Sequence, residues 1–293
     1  MKYIVVLIYV FSFGVADCLW VNVNKKNHEL VSMLGRSLVT TSLFVGLLLF
    51  LYGFGLGDAS TFTISDFSLA VGLSIVCYGG QYFYVKSLKH CPVSVSITLV
   101  SIFTFLISVM VSIVVYHEVP QINAIALMLL TLAGVALIVE KSNWRAFRTF
   151  KIGMLYILLA SICWGLGYSF LKFPIGAFGV VNFSLLLEST ILFMNFLLFV
   201  VAGLKIQFIG AAFQHSGKYL IALGTLIFLG TVFNSLSYRY FGVATLNIVG
   251  KVGIVVPIAY ALLFLNESIS KKQGLGIFLV LSGAAAVSYY SNF

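Results

Sequence analysis

Apolar residues fall along this chain in ten runs of similar length, roughly 3–22, 30–55, 64–85, 92–116, 120–139, 152–172, 180–203, 218–237, 243–264 and 274–290, separated by short polar connections. The hydrocarbon core of a bilayer is about 30 Å thick, which a helix rising 1.5 Å per residue spans in about 20 residues. Each run therefore predicts a membrane-crossing helix, and the fold class is an all-α membrane protein with ten transmembrane helices. The longest polar links, 140–151 and the region around Lys205–Lys218, are too short for a soluble domain. The first run has the length of a signal peptide, but it lacks a small-residue cleavage site and has a counterpart in mid-chain, so it is read as a retained helix.

That counterpart belongs to an internal repeat. Moving the chain by 149 residues sets Glu118 on Glu267, Leu130 on Leu279, Leu132 on Leu281, Gly134 on Gly283 and Ala136 on Ala285. With a slip of two, Phe13-Gly14 falls on Trp164-Gly165. The predicted division is a first five-helix repeat over 1–140, a linker over 141–151 and a second five-helix repeat over 152–293. Five is odd, so the second half enters the membrane from the opposite face. Two inverted repeats of this kind build transport sites near the bilayer midplane.

Composition agrees with the pattern: 61% of the 293 residues are hydrophobic and 9% charged, with a mean hydropathy of +1.11. Cys18, Cys77, Cys91 and Cys163 fall singly in apolar runs, which indicates neither a disulfide framework nor a metal site. The net charge of +9 comes from residues at helix ends, not from a basic cluster on a soluble fold, so nucleic acid is not an expected partner. Loops after odd-numbered helices hold twelve Lys and Arg, against Lys2, Lys172 and Arg239 on the other face. The positive-inside rule then puts the termini outside.

Four ionisable residues lie within the runs: Asp17, Arg36, Glu188 and Lys251. Charges in hydrocarbon are costly unless they face protein or water, which makes them the first candidates for function. Counting rise from each helix end puts Asp17 roughly 7 Å and Arg36 roughly 9 Å from one face, and Glu188 and Lys251 each roughly 12 Å from the other. Depth thus predicts two pairs, Asp17 with Arg36 and Glu188 with Lys251, in opposite leaflets. Two roles stand side by side for these charges: binding a zwitterionic or anionic substrate and a coupling proton, or neutralising one another as fixed contacts between helices.

Polar and aromatic residues at helical spacing fill out a candidate pocket: Tyr78, Gln81 and Tyr82; Ser94, Thr98 and Ser101; Trp164 and Tyr168; Asn234; and Asn247 with Lys251. Gln81, Asn234 and Asn247 carry the stronger argument, because a buried amide in lipid needs partners. Glu118 and Glu267 stand at helix ends, where a charge caps the next helix or faces water. Pro257 with Gly250 and Gly253 predicts a kink in the ninth helix. Gly276 and Gly283 point to close helix packing or to a homodimer contact in lipid. No nucleophile with its base, glycine-rich phosphate loop, HExxH motif or carboxylate dyad is present, so neither an enzyme nor a cofactor is expected.

In these features the chain resembles an EamA-type member of the drug/metabolite transporter superfamily. The resemblance rests on a Trp-Gly-like first helix in each half (FGVADCLW and CWGLGYSF), an arginine early in the second helix (LGRSL), and an apolar helix, a glutamate and a glycine-bearing helix closing each half (SIVVYHEVPQINAIALMLLTLAGVALIV and ALLFLNESISKKQGLGIFLVLSGAAAV). It covers essentially the whole chain. The second half departs from it in carrying Glu188 near the place equivalent to Arg36. The resemblance implies a multi-pass protein of the inner or plasma membrane, and cytoplasmic termini, which disagrees with the charge count. It implies a secondary transporter that moves a small polar organic metabolite, an amino acid or related zwitterion or anion, by alternating access and with a coupling proton. Lys251 and Asn247 would then meet substrate from the ninth helix, with Glu188, Asp17 and Arg36 as counter-ions or proton carriers. The competing expectation is a non-transporting membrane accessory or assembly subunit in which all four charges are structural.

Overall fold

The computed structural model describes residues 2–56, 62–91, 93–117, 122–138, 151–256 and 270–290. Within them the chain is helical: α1 (Lys2–Lys26), α2 (Glu29–Gly53), α3 (Ile64–His90), α4 (Val93–Val115), α5 (Ile122–Ile138), α6 (Lys151–Phe170), α7 (Lys172–Phe178), α8 (Val180–Val201), α9 (Gln207–Ser237), α10 (Val243–Gly250), a 3₁₀ turn η1 (Lys251–Ile254) and α11 (Lys271–Tyr290). Each of the ten predicted runs holds a helix, so the expectation of an all-α membrane protein is borne out. Over the described residues, six helices are long and apolar enough to cross a membrane: α1, α2, α3, α6, α8 and α9.

Local chemistry sets several boundaries. Thr63 and Asp66 form a reciprocal cap at the start of α3, in which Thr63 Oγ1 accepts from Asp66 N at 3.2 Å and Asp66 Oδ2 accepts from Thr63 N at 2.9 Å. Ser270 and Gln273 repeat the device at α11. Gly179, with φ of 76°, separates the short α7 from α8. The ninth run is not one continuous α-helix, because α10 tightens at Lys251 into 3₁₀ geometry. Such a change interrupts the regular α-helical hydrogen bonding of the run. Glu118, Pro257 and Glu267 lie outside the described residues.

The most extensive packing is α3 on α6, α5 on α11 and α1 on α9, followed by α4 on α6, α2 on α9 and α2 on α8. Two groups of helices result. One holds α1, α2 and α9, with α10 and η1 against α1; the other holds α3, α4 and α6; α8 lies between them, packing on α2 and α9 as well as on α3, and α5 and α11 pair beside them.

Glycine lets the helices inside each group approach closely, and corresponding positions of the two halves do so in the same way. A Cβ on Gly14 would meet Val256 Cβ at 2.7 Å, and one on Gly165 would meet Ile107 Cβ at 2.7 Å. Gly230 takes the ring of Phe13 at 2.9 Å, and Gly80 takes the indole of Trp164. Phe13 and Trp164 are the aligned aromatics of the repeat. Gly134 faces the carbonyl of Gly276 at 2.8 Å, and Gly283 faces Thr131, so the α11 glycines are engaged in packing on α5.

Candidate functional site

Arg36 sits seven residues into α2 and is 1% exposed, a burial that a guanidinium tolerates only with its donors satisfied. Its Nη1 donates to Glu188 Oε2 of α8 at 2.5 Å, and its Nη2 donates to Gln81 Oε1 of α3. The other carboxylate oxygen of Glu188 accepts from Thr231 Oγ1 of α9 at 3.5 Å. Glu188, Gln81 and Thr231 are 2%, 7% and 6% exposed. Two donors of this cluster, Arg36 Nε and Gln81 Nε2, meet no acceptor among the described residues.

Asp17 of α1 is partly buried and accepts a 3.0 Å hydrogen bond from the Tyr84 hydroxyl of α3. Tyr84 in turn packs against Trp164, with ring centroids 5.1 Å apart, and Trp164 stacks on Tyr168 at 6.0 Å. Trp164 is held by its indole N–H, which donates to the Cys77 carbonyl at 3.2 Å. The Tyr238 hydroxyl of α9 donates to the Tyr168 carbonyl at 2.7 Å.

These residues surround one central cavity of about 210 Å³. At about 30 Å³ per water, it has room for roughly seven waters or one small organic molecule. Its wall includes Asp17, Arg36, Gln81 and Glu188, the rings of Tyr9, Phe13, Trp20, Tyr84, Trp164, Tyr168 and Tyr238, and Thr104, Thr231 and Asn234. The helix ends beyond it carry their own links. At the start of α2, Glu29, 2% exposed, accepts from Lys86 Nζ at 2.6 Å and from Lys89 Nζ, both in the last turns of α3.

The charge pairing predicted from depth is corrected here. Arg36 joins Glu188, not Asp17, and Asp17 joins Tyr84. Glu188 gives its carboxylate to Arg36 and Thr231, and the Lys251 side chain of the expected Glu188–Lys251 pair lies outside what the structure describes. Counting rise from each helix's own end has no common zero when helices as different as α5, with 17 residues, and α9, with 31, are compared, and it leaves out the reach of the arginine stem. A better signal was in the sequence. Glu188 lies 152 residues after Arg36, and Thr231 lies 150 after Gln81, the spacing of the repeat. A residue on an axis relating two halves meets its own counterpart, so arginine opposite glutamate is the pair that such a contact requires.

The structure brings Gln81, Trp164, Tyr168 and Asn234 to the cavity with Asp17, Arg36 and Glu188. Tyr78 and Tyr82 are not in its wall: Tyr78 is 4% exposed and Tyr82 packs on Phe83, with Lys86 over its ring. The side chains of Thr98, Asn247 and Lys251 lie outside what the structure describes, although Leu246 and Gly250 beside them line the cavity. Sequence reasoning missed Trp20, Tyr84 and Thr231. Trp20 follows Asp17 by three residues and Tyr84 follows Gln81 by three, so helical spacing alone would have added both.

No curated protein matches this chain. A crystal structure of 14% sequence identity superposes with a TM-score of 0.70 over 99% of this chain and 95% of its own, a likeness of fold. Residues 151–289 match the model of the EamA-like transporter family. The second half of this chain thus matches an EamA-like transporter domain, and with its membrane-length apolar helices the chain is a multi-pass membrane protein.

Proposed function

We propose that this protein is a secondary transporter that moves a small polar organic metabolite, an amino acid or related zwitterion, by alternating access of its central cavity. The observation that carries the reading is the position of that cavity. Its charged and polar wall is assembled from both helix groups, Asp17 and Arg36 from one and Gln81 from the other, with Glu188 from α8 between them. Relative rotation of the groups would open it to either face while the binding groups stay near the midplane. Contacts at opposite ends would alternate: the Glu29 link to Lys86 and Lys89 at the basic face, and the Tyr238–Tyr168 link at the other. The 3₁₀ turn at Lys251 supplies a hinge beside the wall.

In this reading Arg36 Nε and Gln81 Nε2 offer donors to a substrate carboxylate, and Asn234, Trp164 and Tyr168 shape its surroundings. Lys251 and Asn247 stay in the proposal as further polar groups from the ninth run. A coupling proton suits Asp17 better than Glu188, since Glu188 is neutralised by a guanidinium 2.5 Å away. The titratable or charged groups that line the cavity with Asp17 are Tyr9 from α1, Arg36 from α2, Cys77 and Tyr84 from α3, Tyr168 from α6, Glu188 from α8 and Tyr238 just after α9.

The test is counterflow into proteoliposomes against a panel of labelled amino acids and related metabolites. Saturable exchange by the parent chain is expected, reduced at least tenfold in Arg36→Gln. A well-folded protein that exchanges nothing, with or without an imposed proton gradient, would favour the accessory-subunit reading instead.

A further inference from the structure

The cavity is unequal in its charges, and the inequality indicates what it grips. Of the described side chains in its wall, two are acidic and one is basic. Arg36 is already neutralised by Glu188. Among the described residues Asp17 has one partner, the neutral Tyr84 hydroxyl on Oδ1. A carboxylate set among apolar groups without a counter-ion is costly, and a cation arriving with the ligand removes that cost. The walls around it suit an organic cation. Phe13 and Trp20 flank Asp17 on α1 at i−4 and i+3, and across the space stand Tyr84, Trp164 and Tyr168, packed ring against ring. Aromatic faces attract ammonium ions through the ring quadrupole, and more strongly when water is excluded.

We infer that the cavity recognises its ligand by an ammonium group held between Asp17 and the aromatic wall of Trp20, Tyr84 and Trp164, so that organic amines without a carboxylate bind as well. The repeat makes this a property of one half only. The position equivalent to Asp17 is Tyr168 and that equivalent to Tyr84 is Asn234, so the acidic group has no duplicate across the cavity. The inference rests on the transport reading of the same cavity and adds the chemical class of the handle.

Three probes separate amine from acid: phenylalanine, phenethylamine without the carboxylate, and N-acetylphenylalanine without the cationic amine. Two of the three tryptophans of the chain, Trp20 and Trp164, line the cavity, so quenching of intrinsic fluorescence in the purified full chain reports binding. Phenethylamine is expected to quench saturably and N-acetylphenylalanine is not. Asp17→Asn should weaken phenethylamine at least tenfold, and Asp17→Glu, which keeps the charge, should recover most of that loss; both variants are checked for monodisperse elution and an unchanged melting temperature. Should Asp17→Asn not fold, competition by tetramethylammonium against phenethylamine on the parent chain takes its place, and competition is expected. Binding of the N-acetylated acid but not the amine, equal affinity in Asp17→Asn and parent, or absence of competition would overturn the inference. Counterflow of some other metabolite by a chain that binds no amine would sink this inference and leave transport standing. Amine binding with no counterflow of any compound would do the reverse.

Discussion

Inside each helix group the closest contacts are glycines against apolar side chains, whereas the charged contacts of the core run between the groups or onto α8, which lies between them. Gly14 on Val256 and Gly230 on Phe13 belong to the first group, and Gly165 on Ile107 and Gly80 on Trp164 belong to the second. Arg36 with Gln81, Asp17 with Tyr84, and Glu29 with Lys86 and Lys89 join one group to the other, and Arg36 with Glu188 joins α2 to α8. The difference is physical. Interdigitated packing has one arrangement at native density and resists sliding. Hydrogen bonds and ion pairs in a wet cavity can exchange partners for water or ligand at small net cost. A molecule built this way has stiff bodies and a divisible boundary, which is what a hinge or shear motion needs.

The sharpest way to break the comparison is to remove one side of a boundary pair. Glu188→Ala leaves the Arg36 guanidinium buried without its counter-ion, and the expected loss is about 3–5 kcal/mol, seen as lost yield of monodisperse protein and a lower melting temperature. Replacing both partners with methionine should restore much of that stability while abolishing exchange. An Arg36→Met, Glu188→Met protein that still exchanges substrate would assign the pair to packing alone.

Next in size come the glycines within the groups. Gly14→Val and Gly165→Val each force a branched side chain against Val256 or Ile107, for an expected loss of about 1–3 kcal/mol each. The two should be similar, because the contacts they disturb are equivalent in the two halves. Thermal melting in one detergent checks this, and a large difference between them would mean that the groups are not packed alike.

Asn195→Leu tests a boundary contact away from the cavity. Its amide donates to the Met33 carbonyl at 3.3 Å and to Ser37 Oγ at 3.2 Å, joining α8 to α2. The expected loss is about 0.6–1.7 kcal/mol, the scale of hydrogen bonds between membrane helices. The smallest expected effect on stability is that of Glu29→Gln. Its lysine partners are 25% and 43% exposed, so screening keeps the loss below about 1 kcal/mol. The rate of exchange should nevertheless change, since the link closes one end of the boundary; an unchanged rate would remove it from the gating scheme.

How much of this was legible in the sequence differs by element. The runs 30–55 and 180–203 named α2 and α8 closely, because a lipid-facing helix must be apolar over a set length. The α9 run began at 218, yet the helix begins at Gln207, since its first turns pass through polar residues that hydropathy does not score as membrane. Arg36, Glu188, Gln81, Trp164 and Tyr168 were legible as cavity candidates from burial cost and helical spacing. Their partners were not, because rise along a helix gives depth but no neighbour.

By itself the sequence determined the class of the molecule, the number and order of its helices and the burial of Arg36 and Glu188, though not that of Glu29. Each of these follows from a one-dimensional quantity, namely apolar length, repeat spacing or the cost of a charge in hydrocarbon. Only the tertiary structure decided that Arg36 meets Glu188, that Asp17 meets a tyrosine, and that the glycine contacts lie within the groups while Arg36 and Asp17 reach across to α3. Those outcomes depend on which helix faces which. In a bilayer many pairings bury the same apolar surface, and close packing around small residues together with the pairing of charges selects among them.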